Sequence, residues 1–370
     1  MAKQPEHGLR QTPGAFQLKG VVLGTKSNNF YAEKDVSNNK MRTVNFGVKY
    51  DVLRDENGAI VEPVMGKSIY PTVQGFTRAD VYFSCKTSTG KTETQKVAWA
   101  NRFEFANSHP NWKAIGCNIG IEKDEEGNNI KAYVTEFDAA KLIKDKLKDD
   151  MSVFVRGTID FRSYTTKEGD VRRLQNFNAT QVSLCSDVKF DAEDFKATHD
   201  FEQEIVYTDI AKEEDGDGKA TGRFILSGYV VTFNAIEPVS FIMTDSKLAN
   251  LIRKNLKAYN SIKVYGKIEV SHNVEKVESD EKDEWGDTNA MSNNRANAST
   301  KRELIVTGAT PSTIDRESFT ESSVQEGIQK LKKKEKNNTN FGEKKETVSK
   351  DVEDEWGSGS AIDDTEDDPW

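Results

Sequence analysis

The sequence is poor in residues that assemble reactive centres. Its 370 residues include only three Cys and four His. Cys85, Cys117 and Cys185 are far apart and odd in number, which excludes a closed disulfide framework and a CxxC metal knuckle, and all three read as buried thiols. His7, His109, His199 and His272 show no HxxxH or HExxH spacing, so no zinc site or His-driven active site is expected. A Walker loop and a GxSxG elbow are also missing, and no paired carboxylates mark an apolar pocket. The expectation is a protein that is not an enzyme and needs no cofactor. No apolar run approaches the roughly 18 residues of a membrane span, and Met1-Ala2-Lys3-Gln4-Pro5 lacks an apolar signal core, which predicts a soluble cytoplasmic protein. Apolar side chains make up 35% of the chain and charged ones 31%, too little core for the whole length to fold, so part of it is expected to be disordered.

Net positive charge is missing overall, but the total hides segregation. The net charge of −9 resides entirely in residues 351–370, which hold nine acids and no Lys or Arg. Residues 14–185 carry 25 Lys and Arg against 21 Asp and Glu, whereas residues 186–218 carry 3 against 12. A modestly basic N-terminal region can bind phosphates if its cations converge on one face.

What is present is a repeated strand-rich unit. The runs 16–22, 43–50 and 95–99 are β-rich with partial alternation, Ala139 to Lys148 carries a helical apolar stripe with Asp138 as N-cap, and two strands follow at 152–161 and 171–184. Leu142, Ile143, Leu147, Val153, Val155, Gly157 and Ile159 match Leu251, Ile252, Leu256, Ile262, Val264, Gly266 and Ile268 at a constant offset of 109 residues. Phe16, Leu18, Gly20 and Val22 match Phe224, Leu226, Gly228 and Val230, and Leu174, Ala179 and Thr180 match Leu304, Ala309 and Thr310. Strands, a helix between the third and fourth, and a closing hairpin spell a five-stranded Greek-key barrel, the OB-fold. The expected fold is all-β: two tandem OB-fold domains with one short helix each, plus a disordered acidic C-terminal tail. The boundaries expected are a flexible N-terminus at 1–13, domain 1 at 14–188 with an insertion around 52–94, and an acidic joint at 189–218. Domain 2 spans 219–314, one of its sheet strands missing or supplied by 204–209, with a mobile loop at 277–300. The tail is 315–370, after a short helix near Ile328. The tetrapeptide Asp-Glu-Trp-Gly occurs at 283–286 and 354–357, as a duplicated docking peptide or a coincidence of acidic linkers.

Aromatic rings interleaved with cations are how such a barrel holds unpaired bases, the rings stacking and the cations following phosphates. In the first unit the candidates are Phe46, Tyr50, Trp99, Phe103 and Phe161 with Tyr164, and the cations are Lys49, Lys96, Arg102, Arg156, Arg162, Lys167, Arg172 and Arg173. Phe46 and Phe161 serve core packing equally well, whereas Trp99 and Tyr164 have polar neighbours that favour stacking.

Residues 147–159, then Arg162-Ser163-Tyr164, Gly169 and Ala179-Thr180-Gln181-Val182, resemble the bacterial single-stranded DNA-binding protein family. The resemblance covers the last third of domain 1. It implies that Tyr164 holds a base-stacking position and that Trp99 resembles the stacking aromatic ending the family's third strand. The family's acidic tip is similar to Asp363-Asp364-Thr365-Glu366-Asp367-Asp368-Pro369-Trp370, with Trp replacing the usual Phe. The implied function is sequence-nonspecific coating of single-stranded DNA in replication, recombination and repair, with partner proteins recruited through Asp363, Asp364, Asp367, Asp368, Pro369 and Trp370. The insertion and duplication point to a phage-encoded relative. The alternatives are an OB-fold RNA binder, or a recombination or primosome adaptor whose second domain binds protein. Sequence leaves monomer and dimer both open.

Overall fold

A computed structural model describes residues 5–54, 60, 66–166, 171–274 and 298–341. The first barrel opens with β1 (Gly14–Leu23), a hairpin of β2 (Tyr31–Val36) and β3 (Asn39–Asn45), then β4 (Gly47–Asp51), β5 (Lys67–Ile69) and β6 (Thr72–Phe76). An insertion follows, with β7 (Asp80–Lys86), β8 (Thr92–Ala98), a 3-10 turn at Trp99–Asn101, α1 (Arg102–Ser108), β9 (Lys113–Ala114), β10 (Cys117–Lys123) and β11 (Asn129–Val134). The unit ends with α2 (Glu136–Lys146), β12 (Ser152–Thr165) and β13 (Val171–Leu184). Its strands form a closed circuit: β1 pairs with β12, β12 with β13, β13 in parallel with β6, β6 with β3, and β4, the continuation of β3, returns to β1. This is the OB circuit with its helix between the third and fourth barrel strands.

The third barrel strand is therefore β6, not the expected run 95–99, and the insertion begins at residue 77 rather than 52. Both runs have strand composition; only closure against β13 distinguishes them. The N-cap of α2 is Thr135, whose Oγ1 accepts the Asp138 N–H at 3.2 Å, so Asp138 is the third residue of the helix and not its cap.

The second unit repeats the circuit with β14 (Thr198–Glu214), β15 (Ala220–Val231), β16 (Ile236–Met243), α3 (Ser246–Asn255), β17 (Ser261–Val274) and β18 (Ala298–Asp315). β14 pairs with β15 and β17, β15 with β16, β16 in parallel with β18, and β18 with β17. The fold is two tandem OB barrels. Duplication extends to detail. Gly157 and Gly266, 109 residues apart, each sit at a bulge between the fourth and fifth strands, where a Cβ would strike the carbonyl oxygen of Asn178 or Ile305.

The match of Phe16–Val22 with Phe224–Val230 joins strands of different rank, β1 being the first of its barrel and β15 the second. Its glycines explain the likeness. Where first and second strands cross, one residue must lack a Cβ. Gly20 supplies the gap from the first strand, against the Lys49 carbonyl, and Gly228 supplies it from the second, against the Val206 carbonyl.

The segment expected to be an acidic joint is largely β14. Phe201, Ile205, Val206, Tyr207 and Ile210 are buried, while the acids between them meet cations from neighbouring strands and the N-terminus. Asp200 pairs with Lys267, Glu202 with Lys263 at 3.6 Å, Glu204 with Arg10 at 2.6 Å and Glu213 with Arg223 at 3.0 Å. Within β14, acids that look like a linker in sequence find partners on other elements at these four positions.

β14 also pairs antiparallel with β1, Gly14 opposite Gln203 through Lys19 opposite Thr198, so a continuous sheet joins the barrels. Each closing hairpin reaches the other unit. Phe161 meets Phe241 edge-on at 6.1 Å and Ser163 donates to Glu237 at 2.6 Å. In return Val270 N–H donates to Tyr50 Oη at 3.1 Å, and Tyr50 stacks on His199 with centroids 4.5 Å apart.

Residues 5–13 are docked, not free. His7 and Leu9 are buried, and Arg10 bonds Glu204, Ser261 and Asp315. Residues 321–341 form α4 (Glu321–Phe341), a helix longer than expected within the tail. Val324, with Phe319, Ile328 and Leu331, packs on Leu9, Val231 and Ile236 along the outer face of the β15–β16 hairpin. The loop expected at 277–300 lies outside the described residues up to 297, as do the tail from 342 and both Asp-Glu-Trp-Gly segments.

Candidate nucleic-acid interface

Strand parity on the β12–β13 hairpin sorts its aromatics. Ile159 opposite Phe177, Phe161 opposite Gln175 and Ser163 opposite Arg173 share one face; Arg162 opposite Leu174 and Tyr164 opposite Arg172 share the other. Phe161 and Phe177 are buried on the first face, and Tyr164 is 44% exposed on the second. Arg162, Arg172 and Arg173 are exposed, and Arg162 also contacts Asp160 at 2.7 Å. A flat ring on a projecting hairpin with Arg172 directly opposite is a geometry that stacks a base and meets its phosphate. Lys167 lies outside the described residues.

A second cluster gathers on the insertion. The Arg102 guanidinium carbon lies 4.2 Å from the Trp99 ring centroid and 4.1 Å from that of Phe103. Its Nε and Nη2 donate to Asp138 at 2.8 and 2.9 Å, and Nη1 donates to the Trp99 carbonyl at 2.8 Å. Arg102 was expected to meet phosphate, but its charge is committed to Asp138; it acts as a spacer presenting two aromatic rings. Trp99 is half-buried, edge-on to Phe137 at 5.8 Å, and Phe103 is 52% exposed.

Phe46, Tyr50 and Phe161 require correction as base contacts, since all three are buried. Phe46 belongs to the main core, and Tyr50 and Phe161 are covered by the second barrel, a burial invisible to any reading of one unit alone. Lys49 lies over the Phe190 ring at 5.4 Å. Lys96 pairs with Asp80 at 2.7 Å, and that carboxylate holds its ammonium above the ordinary value. Arg156 is exposed in a shallow groove with Gln17, Asp200 and Tyr265 where the barrels join.

Sequence reasoning missed Phe76, Tyr82 and Ile115, all exposed. The alternation of Val81, Tyr82 and Phe83 marks a strand with Tyr82 outward, hidden by treating 52–94 as one loop. Among the described residues no cluster of three or more His, Cys, Asp or Glu is placed to hold a metal ion, and no helix is long and apolar enough to cross a membrane. Burial pushes the Cys117 thiol up to about 12, which leaves it protonated and unreactive.

No curated protein matches the chain. Among solved structures, a deletion mutant of the single-stranded DNA binding protein from Thermus aquaticus is similar at a TM-score of 0.39 and 10% identity, over 84% of this chain and 98% of that one. The wild-type form of that protein is similar at 0.37 and 9%, over 81% and 93%. The family model described as YorF matches residues 88–342, from the β7–β8 turn through both closing hairpins to the end of α4. That span exceeds half of the sequence, and the chain belongs to the YorF family.

Proposed function

We propose that the protein binds single-stranded DNA without regard to sequence, through the first barrel and its insertion. The observation that carries this reading is the outward face of the β12–β13 hairpin, where Tyr164 is exposed opposite Arg172 and beside Arg162. The Trp99–Arg102–Phe103 stack supports it with a second set of aromatic faces. A lone exposed ring is ordinary, but rings paired with Arg form the platform that every base fits by its π-face. Arg156, Arg173, Lys96 and Lys167 are included in the proposal as further cations that meet phosphates along the strand.

The wider role follows from the sequence of the tip. Coating of DNA in replication, recombination and repair, with partners captured by Asp363, Asp364, Asp367, Asp368, Pro369 and Trp370, is part of the proposal. In this proposal Trp370 beside Pro369 enters an apolar pocket of the partner while the neighbouring carboxylates meet a basic rim.

Fluorescence anisotropy with a labelled oligo-dT tests the reading. The intact chain is expected to bind, and Tyr164→Ala and Phe103→Ala each to weaken binding at least about fivefold, the value of one stacked base. A matched RNA competitor discriminates the RNA-binding alternative. Wild-type affinity in both variants would overturn the site.

A further inference from the structure

The insertion is a small folded unit with a surface of its own. β8, β7 and β9 form a three-stranded sheet separate from the barrel sheet. Its inner face buries Val81, Phe83 and Ala114 against Phe105 and Trp112. Tyr82 and Ile115 project from the opposite face, 50% and 55% exposed, and the Ile115 N–H donates to the Tyr82 carbonyl, fixing the two side by side. They face Phe76, the last residue of β6, across a groove bordered by Arg78 and Trp99, with Thr135 and Glu136 at the start of α2.

We infer that this groove is a second binding surface for single-stranded DNA, taking bases between Phe76 and Tyr82 and a phosphate at Arg78. The inference rests on the reading above and adds to it a groove between β6 and the sheet of the insertion. Three large apolar side chains left exposed together are unlike the scattered ones of an ordinary surface and mark a contact face. Charge favours a nucleic acid over an apolar peptide: residues 77–118 contain six Lys and Arg against three Asp and Glu. Of the acids lining the groove, Asp80 is paired with Lys96 and Glu136 sits in the first turn of α2, where the helix dipole offsets its charge. The rings stand on paired strands, so they are preorganised to stack.

The test uses the full chain with Tyr82→Ala and with Ile115→Ser, both outward-facing, alongside Tyr164→Ala. Unchanged unfolding midpoints verify the fold of each variant. With an oligo-dT long enough to cover more than one site, about 40 nucleotides, Tyr82→Ala is expected to bind at least about fivefold more weakly than wild type. An oligomer carrying 5-bromodeoxyuridine is expected to photocrosslink at Phe76 or Tyr82. Wild-type affinity in Tyr82→Ala and Ile115→Ser without crosslinks there, while Tyr164→Ala is weakened, overturns the inference and leaves the barrel reading standing. A wild-type chain that binds no DNA overturns both. Loss of self-association instead of DNA binding in Tyr82→Ala, read by sedimentation, assigns the face to a second copy of the chain and also overturns it.

Discussion

Phe46 and Tyr164 are both aromatic residues of the first barrel, and truncating them has opposite consequences. Phe46→Ala opens a cavity in the core and is expected to cost about 3–5 kcal/mol of stability. Tyr164→Ala removes an exposed ring and is expected to change stability by less than about 0.5 kcal/mol while weakening DNA binding. Urea unfolding beside a binding titration separates the two; a Tyr164→Ala chain that unfolds early but binds normally contradicts the assignment. His199, at the junction, has a pH signature. Burial lowers its pKa despite its bond to the Ile268 carbonyl at 2.7 Å and Glu269 at 3.8 Å; Lys267 lowers it further and Asp200 opposes. The unfolded chain then binds the proton more readily than the folded one. Stability is full above the unfolded His value of about 6.5 and declines as pH falls through it. His199→Gln is expected to flatten that decline in unfolding midpoints measured between pH 8 and pH 5.

Elements built from local signals were legible in the sequence, and those built from distant partners were not. The α2–β12 and α3–β17 segments appear as a constant offset because a helical stripe and a bulge glycine are properties of the chain itself. Gly157→Ala and Gly266→Ala are accordingly expected to cost about 1–3 kcal/mol each, as a methyl group forced against a carbonyl, measured by denaturant midpoint. β14 was obscured because its acids find their cations on β17, β15 and the N-terminal segment, far away in sequence. β6 and the run 95–99 are both strand-like in composition, and the parallel pairing of Thr72 with Asn178 picks out the barrel strand. In the candidate site, the polar neighbours of Tyr164 marked it in the sequence as an outward ring, whereas the burial of Tyr50 and Phe161 arises between barrels. Docking of α4 is testable at this scale. Val324→Asp is expected to detach the helix and expose residues 229–236 to hydrogen exchange while the first barrel stays protected.

Across the whole molecule the duplicated barrels differ in what covers them. The outer face of the β15–β16 hairpin is apolar where Val231 and Ile236 lie under α4 and Leu9. On the first barrel, the corresponding face of β3 and β6 mixes polar side chains, Thr72 donating to Asn45 at 2.7 Å and Gln74 to Thr43 at 3.2 Å, with buried Met41 and exposed Phe76. The proposed DNA contacts all belong to the first barrel and its insertion. Removing residues 351–370, with their nine acids, is expected to raise DNA affinity at low salt by relieving competition for the basic face, and to abolish partner capture. The most direct measurement is an anisotropy titration of the full chain with labelled oligo-dT at stepped salt concentrations. The account predicts tight binding at low salt, with log affinity falling linearly as log salt rises and duplex DNA competing poorly. No binding to oligo-dT at low salt, or a preference for duplex, would contradict it.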